Sequence, residues 1–119
     1  PTYWEEVWMN PCCPLVSSSW NARPANEALA VQLKGDGVWN ESYYSNARFD
    51  ELLELASGEP DLAKRKEYFR EIQEILIEDV PVLYLMHPPV ILAHRSRLSD
   101  VKAHPGLSET FIENWWISQ

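Results

Sequence analysis

The sequence predicts a mixed α/β fold with helices between strands. Three observations predict it. Between Leu62 and Val80, apolar residues recur at spacings of three, four and seven, the period of a helix with one buried face. Directly after it, Val82-Leu83-Tyr84-Leu85-Met86 is an unbroken apolar run that suits a buried strand. Upstream, two shorter helical stripes are set off by Gly and Pro.

The elements follow in order. Leu15 to Trp20 reads as a strand. A helix is expected from about Asn26 to Lys34, with Leu29 and Leu33 inward and Gly35 as its stop. Residues 35–44 read as a loop. It contains Asn40-Glu41-Ser42, a glycosylation pattern too short to carry weight alone. Ser45 or Asn46 offers an N-cap for the next helix. Its stripe is Phe49, Leu52, Leu53 and Ala56, and Gly58 with Pro60 stops it. Asp61 caps the long helix, whose inward set is Leu62, Phe69, Ile72, Ile75, Leu76 and Val80. Lys64, Arg65, Lys66, Glu67, Arg70, Glu71 and Glu74 form its solvated face, and Pro81 ends it. After the 82–86 run, His87-Pro88-Pro89 interrupts, and Val90 to His94 resumes as a second strand. A polar stretch from Arg95 to Lys102 leads to a turn at Pro105-Gly106. Phe111 to Ile117, with Trp115-Trp116, suits a last short strand.

Composition excludes several classes. The 119 residues are one domain's worth, enough to bury roughly two-thirds of the unfolded surface. Hydrophobic residues at 45% and charged residues at 24% exclude disorder. Acidic residues outnumber basic ones 18 to 10, for a formal charge of -8. The one basic run, Lys64-Arg65-Lys66, is a turn of the long helix, so nucleic acid and anionic membrane are poor partners. The apolar runs, such as Val82 to Met86 and Val90 to Ala93, are far short of the ~20 residues of a membrane span. Six Trp is a heavy load of a residue spent on cores and pockets. The chain starts at Pro1 without a signal peptide, so either a segment was removed or this is a piece of something longer.

No catalytic constellation is present. There is no Gly-rich phosphate loop, nucleophile elbow, metal-ligand spacing or cofactor signature. His87, His94 and His104 are spread over two strands and a loop. Cys12 and Cys13 are adjacent, with Cα atoms about 3.8 Å apart, and a bridge there needs a strained ring. Two thiols are also too few for zinc. Ser17-Ser18-Ser19 reads as a polar strand end. The binding-type feature is Trp20-Asn21-Ala22-Arg23-Pro24, at a strand-to-loop edge. A Trp ring gives a flat apolar wall and an Arg can grip a carboxylate with two hydrogen bonds. The same pair would equally serve as a core Trp and a surface Arg.

Five stretches in order carry a resemblance. They are Val7 to Met9, Ser18 to Ala25, Tyr44 to Leu53, Asp61 to Tyr68 and Glu71 to Leu85. Together they resemble the C-terminal part of the solute-binding proteins of ABC transporters for peptides and nickel, the bacterial extracellular solute-binding family 5. The resemblance implies part of a two-lobed, type II periplasmic clamshell, with three main helices and interspersed strands. Residues 1–95 would belong to the second lobe, and 96–119 would cross back to complete the first. It further implies a C-terminal fragment of a longer periplasmic or extracytoplasmic chain, with the first lobe and signal peptide upstream. That chain would take a small solute or peptide in an interlobe cleft and deliver it to membrane permease subunits, without enzymatic activity.

Carried over residue by residue, the cleft positions are Trp20, Asn21 and Arg23, with Ser19 nearby and Leu85 where some members place an aromatic. Peptide binders of this family commonly hold the ligand's α-amino group with an Asp just after this Trp. Arg23-Pro24 stands there instead, and an Arg suits an anionic group. Tyr44-Ser45-Asn46 is a family hallmark that also reads as a helix cap. The alternative from another class is a self-contained α/β interaction or enzyme module.

Overall fold

A computed structural model describes residues 2–11, 13, 15–87, 89–104 and 111–118. Helices come first and a small sheet last. The helices are α1 (Tyr3–Glu6), α2 (Ala25–Gln32), α3 (Ala47–Gly58) and α4 (Leu62–Asp79). Then follow β1 (Leu98–Ser99), one 3₁₀ turn (Ile112–Asn114) and β2 (Trp116–Ile117). The class is mixed α and β, as expected. The chain divides into two compact units, residues 1–18 with 24–83, and residues 19–23 with 84–119.

The first unit is built on α2, α3 and α4. Leu33, Phe49, Leu52, Leu53 and Ile72 form its core. On α3, Phe49, Leu52, Leu53 and Ala56 are all buried, the stripe the spacing predicts. On α4, Ile72 is buried, and Tyr68, Phe69, Ile75 and Leu76, one turn either side on the same face, pack against the core. Leu62 and Val80, expected inward, are 55% and 49% exposed. Leu62 is the first residue of α4 and Val80 follows its last, so both stand at helix ends, beyond the stretch that packs on the core.

The caps follow the sequence. Asn46 Oδ1 accepts from the Arg48 and Phe49 N–H groups at 3.0 and 3.1 Å. Asp61 Oδ1 accepts from Ala63 and Lys64 at 2.8 and 3.3 Å. Each satisfies two of the donors that a helix start leaves open. At the other end of α4, Pro81 disfavours a helical Val80. Val80 instead takes a left-handed conformation (φ 46°, ψ 53°), and its N–H donates to the Leu76 carbonyl. Arg48 joins α3 to α4 through two parallel bonds to Glu71, at 2.8 and 3.1 Å.

The strands differ from expectation. Residues 15–20, 82–86 and 90–94 carry no regular secondary structure. Leu83, Tyr84, Leu85, Met86 and Ile91 are each at least 65% exposed. A helix satisfies its own backbone, whereas a strand needs a neighbour. Among the described residues, no backbone–backbone bond is made by residues 81–94. The expected last strand does form, shortened to β2, and pairs antiparallel with β1, inside the stretch read as a polar connection. The register sets Leu98 opposite Ile117 and Ser99 opposite Trp116. The expected turn at Pro105-Gly106 lies outside the described residues, as do Cys12 and Pro88. Cys13 is exposed and in no disulfide among the described residues.

Candidate functional site

Ser19, Trp20, Asn21, Arg23 and Leu85 all belong to the second unit. Trp20 and Arg23 are half-buried, and Ser19 and Asn21 are exposed. The Arg23 guanidinium carbon lies 5.7 Å from the centroid of the Trp20 ring. That distance is within cation–π range. The structure thus brings together the aromatic and the cation that the sequence singled out. Leu85 is 80% exposed. Ser18 belongs to the first unit, where its hydroxyl donates to Glu41 Oε1 at 3.3 Å.

The first unit carries two polar networks that organise its loops. In residues 35–44, Asn40 is buried and fully engaged. Its Nδ2 donates to the Lys34 and Tyr44 carbonyls at 3.2 and 2.7 Å. Its Oδ1 accepts from the Ser42 hydroxyl and the Tyr44 N–H at 3.0 and 3.2 Å. The sequon nitrogen therefore serves as an internal staple. Nearby, Glu41 Oε1 also accepts from the Trp8 indole N–H at 3.0 Å. The Tyr43 hydroxyl donates to the Met9 carbonyl at 2.7 Å. These bonds tie Trp8, Met9 and Ser18 to the loop.

The second network joins α3 to α4. Asp79 Oδ2 accepts from the Tyr44 hydroxyl at 2.5 Å and from Asn46 Nδ2 at 2.9 Å. The Tyr44 hydroxyl bond, then the Asn46 amide, hold the Asp79 carboxyl below its usual range. Burial, and then the Asp79 charge, push the Tyr44 phenol well above its ordinary value. Tyr44-Ser45-Asn46 is thus both a helix cap and the anchor of the α4 C-terminus. The cap was legible from sequence. The Asp79 contact was not, because it spans more than 30 residues.

Sequence reasoning also passed over a cleft in the second unit. A cavity of about 300 Å³ is lined by Leu92, Ala93, His94, Arg95, Arg97, Leu98, Trp115 and Ile117. Among the described residues, no group of three or more His, Cys, Asp or Glu is placed to hold a metal ion. No helix among them is long and apolar enough to cross a membrane.

The chain is similar to known peptide-binding proteins. It is 32% identical over 83 residues to the oligopeptide-binding protein AppA of Bacillus subtilis, covering 67% of this chain and 15% of that protein. It is 28% identical over 80 residues to the peptide transport periplasmic protein SapA of Haemophilus influenzae, covering 67% and 14%. It is 31% identical over 74 residues to di/tripeptide-binding protein 1 of Pseudomonas aeruginosa, covering 62% and 14%. The chain thus spans about one-seventh of the length of these relatives. Their names are those of binding and transport proteins rather than enzymes. No family model matches the chain, and no solved structure does.

Proposed function

We propose that this chain is part of an extracytoplasmic solute-binding protein of the dipeptide, oligopeptide and nickel class, serving an ABC importer. The observation that carries the reading is the similarity to three proteins named for peptide binding or peptide transport. In this reading, residues 1–95 belong to the second lobe of a clamshell, and 96–119 cross to the first. Ser19, Trp20, Asn21, Arg23 and Leu85 face the interlobe cleft. The ligand is a peptide-like or other small polar solute, released to the permease at the membrane.

The pairing of Trp20 with Arg23 supports an anionic group on that solute. The indole supplies an apolar wall, and the guanidinium offers a fork that matches a carboxylate. In this reading the site binds and orients its solute.

The test is differential scanning fluorimetry of the parent protein that carries this chain, against peptides, amino-acid derivatives, sugars and metal complexes. An acidic or carboxylate-bearing solute should raise the melting temperature. Arg23→Ala should weaken that ligand by about 1.5–3 kcal/mol, the range for a hydrogen bond to a charged group. If no solute shifts the melting temperature, the receptor reading falls. Unchanged affinity in Arg23→Ala removes Arg23 from the site.

A further inference from the structure

The chain's charge is divided unevenly between its two units. Residues 19–23 and 84–119 hold Arg23, Arg95, Arg97 and Lys102 against Asp100, Glu109 and Glu113, with all three histidines. The rest of the chain holds the other 15 of 18 acidic residues and only 6 of 10 basic ones. The second unit is therefore the one part of an acidic chain with an excess of cations.

Two of those cations line one cleft. Arg95 and Arg97 border the cavity of about 300 Å³, and Leu92, Leu98, Trp115 and Ile117 supply its apolar lining. That volume is at the lower end of small-molecule sites, which are mostly apolar with a few convergent polar groups. Among the described residues, neither Arg95 nor Arg97 forms an ion pair with an acidic side chain, whereas Lys102 is paired with Asp100 at 2.8 Å. An anion in the cleft would bring opposite charge to two cationic residues that line it.

Hydrogen bonds hold the main chain of both arginines. The Arg95 carbonyl accepts from the Leu98 N–H at 2.9 Å and closes the turn into β1. The Arg97 carbonyl accepts from the Ser118 N–H at 2.9 Å and from its hydroxyl at 3.0 Å. The β1–β2 pairing places Leu98 opposite Ile117, bringing both apolar residues to the cleft beside Trp115. His94 Nδ1 lies 3.1 Å from the Arg95 carbonyl.

We propose that this cleft binds a small organic carboxylate with an apolar body, its carboxylate held by Arg95 and Arg97 and its body against Trp115, Leu98 and Ile117. The chemistry is a guanidinium–carboxylate pair at one end and an aromatic-aliphatic wall at the other. Neither Trp20 nor Arg23 lines this cleft, and the proposal does not rest on the receptor reading.

The test is titration of the parent protein that carries this chain with 4-phenylbutyrate, 4-phenylbutyramide and inorganic phosphate. Binding is followed by calorimetry and by the Trp115 indole N–H resonance. Phenylbutyrate should bind and move that resonance. The amide, which keeps the body but lacks the charge, should bind at least about tenfold more weakly. Phosphate, which has charge but no body, should leave the resonance in place. R95Q/R97Q should lose at least about tenfold in phenylbutyrate affinity, with unchanged helical circular dichroism, while K64Q binds like the parent chain. Equal binding of acid and amide overturns the proposal, as does unchanged affinity in R95Q/R97Q. Binding of phosphate as tight as that of phenylbutyrate removes the apolar-body assignment. Absence of binding by all three probes overturns the site altogether.

Discussion

The Tyr44 hydroxyl donates a 2.5 Å hydrogen bond to Asp79 Oδ2, joining the residue two before the α3 N-cap to the last residue of α4. Asn46, the N-cap itself, donates to the same oxygen. One carboxylate oxygen thus fastens the start of one helix to the end of the next. Tyr44 also packs edge-on against Phe49 at 5.6 Å, so the latch sits against the core.

This contact makes stability depend on pH in a defined direction. Asp79 is depressed by the Tyr44 and Asn46 hydrogen bonds. Its contribution is therefore complete above the unfolded carboxylate value of about 3.9 and is lost as pH falls through the lower folded value. Tyr44 is raised, chiefly by burial and then by Asp79. Its contribution is complete below about pH 10, and is lost as pH rises through the folded value. Denaturant melts of parent and Tyr44→Phe from pH 2.5 to 7 should show a parent more stable at neutral pH, with the gap narrowing in acid. A gap independent of pH would show that the Asp79 contact is not the source.

Gly37 should resist any side chain. A Cβ there would meet the carbonyl oxygens of Val31, Ala30 and Lys34 at 2.8, 2.9 and 2.9 Å. These are backbone atoms at the end of α2, fixed by the helix and by the bond from the Gly37 N–H to the Lys34 carbonyl. Gly37→Ala should cost about 1–3 kcal/mol, as forced overpacking does. Gly58→Ala is the control, since nothing lies within 4 Å of its added Cβ. Equal stability of the two variants in urea would refute the crowding.

Asn40 should be irreplaceable by its nearest analogue. An Asp keeps the acceptor for the Tyr44 N–H but turns an oxygen toward the Lys34 and Tyr44 carbonyls, where an amide now donates. Asn40→Ala should cost about 1–3 kcal/mol for unsatisfied buried groups. Asn40→Asp should cost at least as much, and should recover at acid pH when the carboxyl can donate. Urea melts at pH 4 and 7 check both. An Asp variant as stable as the parent at pH 7 would contradict the assigned amide orientation.

Much of the first unit was legible because its information is local. The Phe49, Leu52, Leu53, Ala56 stripe follows from helical period. The Asn46 and Asp61 caps depend on a side chain reaching amides two and three residues onward. The aromatic and guanidinium of Trp20 and Arg23 are three residues apart, close enough to be suspected together. The strand readings at 15–20, 82–86 and 90–94 failed for the complementary reason. An apolar run such as 82–86 states a preference for burial, while the ladder that makes it a strand must come from elsewhere.

The sequence by itself determined the three main helices, the Asn46 and Asp61 caps and the buried stripe of α3. A helix closes its hydrogen bonds within four residues, so its pattern is local. Only the tertiary structure decided that Asp79 would meet Tyr44, that Asn40 would be a buried staple, and that Leu98 would pair with Ile117 beside Arg95 and Arg97. Each of these joins groups whose meeting depends on how the backbone between them turns, and residue spacing alone does not specify that path.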